Sequence, residues 1–574
     1  MTNLDFDSVT PCITRQDKLQ AAHQQLARAY MGLPFDVGRI EAVYPTLPIN
    51  GDDSDAHREV LTAFLEARRD VRKLVIEQGP EDPPPRVIEV SPTFNEEDSQ
   101  PADLPLATVT KCLGRGEVGG AELLGILYEG RLAYDHTEGA WYIWGGHSWQ
   151  EDDRKLVGNL VANQVAAAYL HAAAKERELP DGDRNLEQAM IAQAKKLRYR
   201  SKINNVLKLA SRLPEVSLSG TEWDSDPWKL GVANGTLSLN TGAFYSGQPK
   251  DYVRTAAPTP WQGLDAPATR WKQFLTEIFD ADEELIAFVQ RLLGYSLTGL
   301  SVEHVLPVLW GGGRNGKDTI LETLAFVLGS LANSVSSDVL VNRRITANAA
   351  TPHLYKLRFL RLAWVNETQE GARLNTEMVK NLTGGGRVVA RPLYGDPITF
   401  TPGYLLMLVT NHRPRANADD FALWKRLLLI PFTQVFVDDP DLEEGQRQRD
   451  PHLSAKLRAE APGILAWLVQ GCMNWQRVGL NPPDTVRAAT KAYHENEDVV
   501  GQFITDSCVI ADNAEAPAQD LYDAYESWSK DLGLKPMSGI SFGKRIAKRF
   551  EKVRRREGNF YLGVGILADS EDLD

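Results

Sequence analysis

The sequence predicts a multidomain α/β protein with a central parallel sheet. Its 574 residues are too many for one hydrophobic core, so about three or four domains are expected. Between residues 304 and 432, helical patterns alternate with four apolar segments: HVLPVLW, FLRLAWVNE, YLLMLVTN and RLLLIPF. Strands that alternate with helices form a mostly parallel sheet covered on both faces. The central domain is therefore expected over residues 265–440.

The flanking segments are predicted in chain order. Residues 1–78 have apolar residues at three- and four-residue spacing, which predicts helices, and the Pro- and acid-rich residues 79–105 predict a linker. Mixed patterns predict an α+β domain over 106–262, with short strands, then helices over 154–212, then a hairpin in KLGVANGTLSLNTGAFY. A helical lid is predicted over 441–484. Residues 485–574 are predicted to form three helices and a basic strand pair, the pattern of a winged-helix domain that binds DNA.

Composition and charge exclude several classes of protein. With 43% hydrophobic and 24% charged residues, the chain has the composition of a globular protein. It has no apolar stretch of about 18 residues and its N-terminus, MTNLDFDSVT, has no signal-peptide pattern, so we expect no membrane partner and a cytoplasmic location. The four cysteines show no CxxC spacing, which predicts neither a zinc site nor a disulfide framework. The net charge of −14 means that any nucleic acid must meet basic residues concentrated locally.

A glycine-rich loop follows the first apolar segment. Gly311, Gly316 and Lys317 match the pattern GxxxxGK in GGGRNGKDTI, which follows VLPVLW and precedes a predicted helix. Glycines permit a tight turn whose N–H groups face a phosphate at the positive end of that helix. The alternative is a strand-to-helix turn with a surface lysine.

Polar residues end the next two apolar segments. FLRLAWVNE ends in Glu367, where a phosphate-binding loop predicts an acid that holds a metal or polarises water. YLLMLVTN ends in Asn411, which is suited to contact water or a terminal phosphate. A solvated acid at a strand end and an asparagine in a turn are both common, so each signal is weak alone. Their order along the chain favours a nucleotide site.

Six motifs resemble those of the superfamily 3 helicases, in the branch found in phage and plasmid primases and poxvirus helicase-primases. In chain order they are LLGYSLTG, GGGRNGKDT, NETQEGARLN, KNLTGGGRVVARPLYGDPITFTP, LLMLVTNHRPR and DDFALWKRLLLIPF. They span about residues 275–435, and flanking segments extend the resemblance over about residues 110–565. The resemblance implies a P-loop, AAA+-like ATPase.

The resemblance also implies a role for each matching residue. Lys317 would contact the β- and γ-phosphates of ATP, Glu367 would orient or deprotonate water, and Asn411 would take the sensor position. Arg426 would reach the ATP of a neighbouring subunit, which implies a hexameric ring with DNA in its channel; a salt-bridged arginine beside LLLIPF is the alternative. The expected ATP-binding residues are Gly311, Gly313, Asn315, Gly316, Lys317, Asp318 and Thr319.

The residues expected to bind Mg²⁺ depart from the family pattern. Asp318 replaces the hydroxyl that usually ligates Mg²⁺, and although a carboxylate is a good ligand it adds negative charge beside the phosphates. Thr319 offers a hydroxyl one residue later, about 100° further round the helix. Asp318 and Thr319 are the candidate metal ligands, and direct ligation by Asp318 is left open.

Two groups of basic residues are candidate DNA contacts. RVVARPLYGDPITF predicts a hairpin on which Arg387 and Arg391 would bind phosphate, with Lys380 nearby; charges on a solvated hairpin are the alternative. The second group lies in FGKRIAKRFEKVRRREGNFYLG and comprises Lys544, Arg545, Lys548, Arg549 and Arg555. The alternative for this group is a basic helix that docks on the acidic remainder of the chain. A further basic stretch, KKLRYRSKINNVLKLASR, carries no acid and either lines a channel mouth or forms a solvated helix face.

These expectations converge on a replicative DNA helicase of a phage or mobile element, in the cytoplasm of a bacterial host. Single-stranded and forked DNA, further copies of the chain and a separate primase or polymerase are the expected partners. Primase activity is not expected, because residues 1–105 show no paired-acid strand motif or zinc ribbon. The alternative is an origin-binding initiator that ATP switches and that melts DNA without processive unwinding.

Overall fold

The computed structural model describes residues 104–340, 351–366, 373–393, 395–441, 443 and 445–567. The predicted helical segment 1–78, nearly all of the linker 79–105 and the candidate Glu367 lie outside these residues. In the part of the chain that is described, no helix has both the length and the apolar character needed to cross a membrane.

The region before residue 219 is mostly helical and contains one small sheet. Its elements are α1 (Leu106–Leu113), α2 (Glu117–Leu127), β1 (Leu132–Asp135), β2 (Ala140–Trp144), β3 (Trp149–Glu151), α3 (Leu156–Leu160), α4 (Ala166–Glu178), α5 (Arg184–Lys196), α6 (Arg200–Ala210) and β4 (Ser217–Leu218). A π-helical turn at Val161–Val165 joins α3 to α4. The sheet order is β3-β2-β1-β4. The predicted short strands and the helices that follow them are thus present.

A second four-stranded sheet follows. Its strands are β5 (Lys229–Val232), β6 (Gly235–Ser238), β7 (Ala243–Tyr245) and β8 (Ala256–Ala257), in the order β7-β6-β5-β8. β5 and β6 pair antiparallel, as the predicted hairpin requires. Leu230 and Leu237 from this hairpin are buried in the same core as Trp271 and Phe288, which lie beyond residue 265. The predicted boundary at residues 262–265 therefore does not separate two hydrophobic cores.

The central region contains a five-stranded parallel sheet. Its elements are α7 (Thr269–Ile278), α8 (Glu283–Ser296), β9 (Leu306–Trp310), α9 (Lys317–Leu328), β10 (Ala332–Val335), α10 (Pro352–Tyr355), β11 (Leu362–Asn366), α11 (Thr376–Thr383), β12 (Val388–Ala390), β13 (Ile398–Phe400), β14 (Leu405–Thr410), α12 (Phe421–Trp424) and β15 (Leu427–Pro431). The sheet order is β10-β11-β14-β9-β15, and every neighbouring pair is parallel. The four apolar segments of the sequence form β9, β11, β14 and β15, as predicted.

Both faces of the parallel sheet are covered, which explains why its inner strands are largely apolar. All six residues of β14 are buried. Successive side chains of a strand point to opposite faces, so Met407 joins the core formed with α8, α9 and the helix at 461–478, whereas Leu406 and Leu408 join the core on the other face. The glycine-rich loop after β9 therefore rests on a rigid support.

The C-terminal part of the described chain contains six helices and five strands. They are β16 (Phe436–Val437), β17 (Arg447–Gln448), α13 (Leu453–Ala459), α14 (Ala461–Val478), α15 (Asp484–Glu497), α16 (Val499–Ser507), β18 (Cys508–Pro517), α17 (Ala518–Asp531), α18 (Gly539–Ile546), β19 (Glu551–Arg555) and β20 (Gly558–Ile566). Within the predicted helical lid over 441–484, helices form at α13 and α14, after the strand β17. α14 is a core helix, since Leu465, Leu468 and Cys472 are fully buried.

The C-terminal unit begins later than residue 485. α15 packs on the parallel sheet, where Leu429 N donates to Thr490 Oγ1 at 2.9 Å and Tyr493 is buried in the sheet's core. A separate core forms from Val500 onwards, between α16, α17, α18 and an antiparallel sheet of order β18-β20-β19. The predicted three helices and basic strand pair are present, with β18 as an additional strand. A winged-helix assignment stays a prediction.

Candidate functional site

The glycine-rich loop, residues 311–316, joins the carboxyl end of β9 to the amino end of α9. Gly316, the last residue before α9, has a φ of 89°, a conformation that side chains other than glycine rarely adopt. A Cβ at this position would also lie 2.7 Å from Ile278 Cγ2. Both facts fix glycine here, so the local structure accounts for the second glycine of the GxxxxGK pattern.

Lys317 is folded back into this loop. Its side chain is buried, with only 4% of the residue exposed. The Nζ group donates to the carbonyl oxygens of Gly311 at 2.7 Å and Gly312 at 3.1 Å, and to Asn315 Oδ1 at 3.0 Å. Burial lowers the pKa of the Lys317 ammonium, and the adjacent Asp318 carboxylate partly opposes that shift. The alternative of a surface lysine is therefore wrong.

Asn411 is brought to the loop by the neighbouring strand. β14 pairs with β9, with Thr410 in register with Trp310, so the residues after both strands meet at one edge of the sheet. Asn411 Oδ1 accepts a hydrogen bond from Lys317 Nζ at 3.2 Å. Two candidates that are 94 positions apart in the sequence therefore form one site.

The metal-ligand candidates lie in the first turn of α9. Asp318 is exposed and Thr319 is half-buried. At the end of β11, Asn366 is exposed and in register with Val409, two residues before Asn411. Glu367, the next residue, is not among those described. Asp318 thus lies beside Lys317 at the amino end of α9.

We expect Asp318→Ser to raise several-fold the Mg²⁺ concentration needed for half-maximal ATP hydrolysis, because serine replaces a charged oxygen ligand with a neutral one. The measurement is ATP hydrolysis against Mg²⁺ concentration. Glu322→Gln is the matched control, since it removes an exposed acid one turn further along α9. An unchanged Mg²⁺ dependence for Asp318→Ser would show that this carboxylate takes no direct part.

Arg426 lies at the opposite edge of the sheet from the loop. Its carbonyl oxygen accepts from Leu306 N, at the beginning of β9, whereas the loop follows the end of that strand. The five residues of β9 separate the amino end of the strand from its carboxyl end by about 16 Å. Arg426 Nη1 donates to the carbonyl oxygen of Ala422 at 2.7 Å, and its Nε is buried without a hydrogen-bond partner. The Arg426 guanidinium thus donates to a backbone carbonyl.

Arg413 is a residue that the sequence reasoning missed. It follows Asn411 by two positions, and its guanidinium lies 4.1 Å from the ring centroid of Trp310, the last residue of β9. Its Nε is buried without a hydrogen-bond partner. The only sequence signal was the basic segment NHRPR directly after the sensor candidate. Arg413 therefore packs at the carboxyl ends of the strands, where Lys317 and Asn411 also lie.

The predicted hairpin is present, and its basic residues differ in their surroundings. β12 and β13 pair antiparallel from Val388 to Phe400. Arg387 is exposed beside them, and Arg391 is exposed with Nε donating to the carbonyl oxygen of Gly395 at 3.2 Å. Lys380 forms an ion pair with Asp420 at 2.9 Å. Lys380 is thus paired with a carboxylate of the same chain, and its contact with phosphate stays a prediction.

The C-terminal basic residues are largely paired within the chain. Four ion pairs account for them: Arg545–Asp419 at 3.2 Å, Lys548–Asp419 at 3.8 Å, Arg549–Asp498 at 2.6 Å and Arg555–Glu515 at 2.6 Å. Lys544 is exposed. These four residues are thus paired with acids of the same chain, and their contact with DNA stays a prediction. The alternative, a basic helix docked on acids of the same chain, describes Arg545 and Lys548.

The fold and the site define an α/β protein with a glycine-rich loop, a buried lysine and an asparagine at one edge of a parallel sheet. Family models match three segments: a D5 N terminal like model at residues 121–280, a family of unknown function at 309–426, and a poxvirus D5 protein-like model at 495–563. These matches assign D5-like segments to residues 121–280 and 495–563 of the chain.

Curated relatives agree with this assignment. The chain is 27% identical over 415 residues to a putative helicase of Acanthamoeba polyphaga mimivirus, which covers 68% of this chain and 43% of the relative. It is 29% identical over 401 residues to a putative helicase of Frog virus 3, covering 57% of this chain and 41% of the relative. A putative primase of African swine fever virus is 26% identical over 328 residues, covering 53% and 33%. The chain thus spans less than half the length of these relatives.

One solved structure aligns over much of the chain at low similarity. It is the A form apo structure of the NrS-1 C terminal region, with 11% identity and a TM-score of 0.42, over 76% of this chain and 96% of that one. At this level the likeness carries no argument about fold or function.

Proposed function

We propose that the chain is an ATP-dependent DNA helicase that acts in replication as a ring of subunits. The observation that carries the proposal is the hydrogen bond between Lys317 and Asn411, which joins the phosphate-loop and sensor candidates in one site. The names of the viral relatives, putative helicases and primases, support the same class of activity.

The chemistry of the loop fits the phosphates of a nucleoside triphosphate. Lys317 supplies a buried cation, and the space beside Gly312 and Gly313 is open, since an added Cβ on either would meet no atom within 4 Å. A phosphate entering there would find the ammonium, the loop N–H groups and the positive end of α9. Mg²⁺, with Asp318 and Thr319 as its candidate ligands, would neutralise charge on the β- and γ-phosphate oxygens. Asn411 would orient water, and Glu367 is proposed to activate it.

The position of Arg426 supports a ring. An arginine finger stabilises charge that develops on the transferred phosphate, so it has to lie close to the nucleotide. Arg426 lies across the sheet from its own loop and has a buried Nε without a partner, so a neighbouring subunit is where it would act. A neighbour that contributes a residue to each site makes the assembly part of the chemistry. A hexamer is the assembly that the family resemblance favours.

DNA contact is proposed for the hairpin β12–β13. Arg387 and Arg391 are exposed there, and cations that bind phosphate give affinity without sequence preference, as a translocating enzyme requires. Lys544 remains a candidate contact in the C-terminal unit. A phage or mobile-element origin, a bacterial cytoplasm and a separate primase partner stay predictions.

The test of this function is strand displacement on a forked DNA, with the mass of the oligomer measured with and without ATP and DNA. We expect ATP- and Mg²⁺-dependent displacement by an assembly of several subunits. A monomer that leaves forked DNA intact would contradict the proposal. A sequence-specific footprint combined with failure to displace a long strand would instead favour the origin-binding initiator.

A further inference from the structure

A second basic surface, unlike the C-terminal one, has no neutralising acid within the part of the chain that the structure describes. It lies at the corner between α5 and α6 and consists of Lys195, Lys196, Arg198, Tyr199 and Arg200, here called the α5–α6 corner. All five side chains are exposed, and the exposed fraction of Tyr199 is 65%. Four cations and one aromatic ring thus share a six-residue stretch of surface.

The corner is held in a fixed conformation. Leu197, in its middle, is 1% exposed and packs in the same core as Met190 of α5 and Val206 of α6. Leu197 N donates to the carbonyl oxygen of Gln193, and Lys202 N donates to that of Tyr199 at 2.9 Å. The protein backbone at the corner is therefore already ordered, so binding a ligand there costs little conformational entropy.

No carboxylate among the described residues neutralises the corner, although the chain is acidic overall. Within the described residues, none of the four corner cations forms an ion pair with a carboxylate. The next cation on α6, Lys202, does pair, with Glu117 at 2.6 Å. In a chain with a net charge of −14, four neighbouring unpaired cations leave a local positive potential.

Local stability accounts for Lys195 and Lys196, which lie in the last turn of α5, but not for Tyr199 and Arg200. Arg200 lies in the first turn of α6, where the partial positive charge of the helix end disfavours a cation. Tyr199 occupies the N-cap position but gives no side-chain cap to the helix, and its ring is mostly in solvent. Residue choices that oppose local stability are expected at functional sites.

We propose that the α5–α6 corner binds single-stranded DNA, with Tyr199 stacking on a base and the four cations contacting neighbouring phosphates. Cations that follow the backbone, together with a ring on which bases stack, are the common means of binding single strands without sequence preference. A duplex offers phosphates but keeps its bases stacked inside, so the ring selects the single strand. This contact adds to the proposed helicase and rests on that function for its biological use.

The test measures binding of a fluorescent oligo(dT) to the full chain by anisotropy, without nucleotide. We expect Tyr199→Ala to weaken binding about tenfold, within the range of one lost stacking contact, and Tyr199→Phe to retain it. Lys196→Ala/Arg198→Ala should lower the slope of log affinity against log salt by about 1.4, or about 0.7 for each lost phosphate contact. Lys111→Ala/Lys272→Ala, which removes two exposed lysines elsewhere, is the matched control.

Wild-type affinity in Tyr199→Ala would overturn the proposal, as would an equal loss in the Lys111/Lys272 control. An equal loss of duplex binding in Tyr199→Ala would overturn the stacking role. ATP hydrolysis without DNA should be unchanged in the corner variants. Failure of the helicase function would appear separately, as a wild-type chain that binds oligo(dT) but neither hydrolyses ATP nor displaces strands.

Discussion

Lys317→Ala is expected to lower ATP hydrolysis by about a hundredfold or more, because one preorganised group that stabilises transition-state charge contributes that much in comparable sites. The structure gives a specific reason for so large an effect. The Lys317 ammonium is buried and held at the loop by Gly311, Gly312 and Asn411, so a phosphate that enters the loop would meet it by replacing one of these acceptors. The measurement is DNA-stimulated ATP hydrolysis by the purified chain.

The control for Lys317→Ala has to separate a loss of catalysis from a loss of the loop's structure. The substitution removes the donor that holds three backbone and side-chain acceptors of the loop, so thermal unfolding should be measured alongside hydrolysis. Lys535→Ala, which removes an exposed lysine of the C-terminal unit, should hydrolyse ATP at the wild-type rate. Unchanged hydrolysis in Lys317→Ala would mean that the loop is not the nucleotide site.

Arg426→Ala is expected to reduce kcat about a thousandfold while ATP still binds, in keeping with the effect of arginine fingers elsewhere. The diagnostic measurement is a mixture of two inactive variants. Arg426→Ala keeps an intact loop and Lys317→Ala keeps an intact arginine, so a mixed ring restores both groups at about one interface in four when subunits mix randomly at equal amounts. Activity should therefore reappear on mixing.

A structural role for Arg426 predicts a different pattern. The hydrogen bond from Arg426 to Ala422 would then be the relevant contact, and its loss would lower the stability of each subunit without any recovery on mixing. Recovery on mixing requires that the arginine of one chain serve the loop of another. Mixing that restores nothing, with both variants still assembled, would contradict action between subunits.

The sequence predicted the parts of the fold in which local pattern and burial agree. The run that forms β14 is apolar at five of its six buried positions, and GxxxxGK sits between a strand and a helix, as the pattern requires. β10 was missed because ANSV is short, partly polar and at the sheet's edge, where two of its residues are exposed. A strand of this kind is stabilised by its pairing with β11 and not by its own composition.

In the candidate site, too, the sequence predicted individual residues but not their contacts in space. Lys317 and Asn411 were predicted separately from strand ends, and the sheet order brings them together. Lys380 and Arg545 were predicted as DNA contacts because a basic residue looks the same in sequence whether or not an acid faces it in space. Their partners, Asp420 and Asp419, lie 40 and 126 positions away, so only the tertiary structure reveals the pairs.

The two cations that pair with Asp419 can contact a phosphate only by leaving this carboxylate. Asp419 follows the sensor candidate Asn411 by eight positions and faces Arg545 and Lys548 of the C-terminal unit. Any phosphate that takes those two cations has to displace this carboxylate, so at a given moment they serve either the docking of the unit or DNA. Exposed and half-exposed ion pairs are worth about 0–1 kcal/mol each, which makes such an exchange inexpensive. The Asp419 ion pairs thus tie the residues at the end of α18 to the segment that follows Asn411.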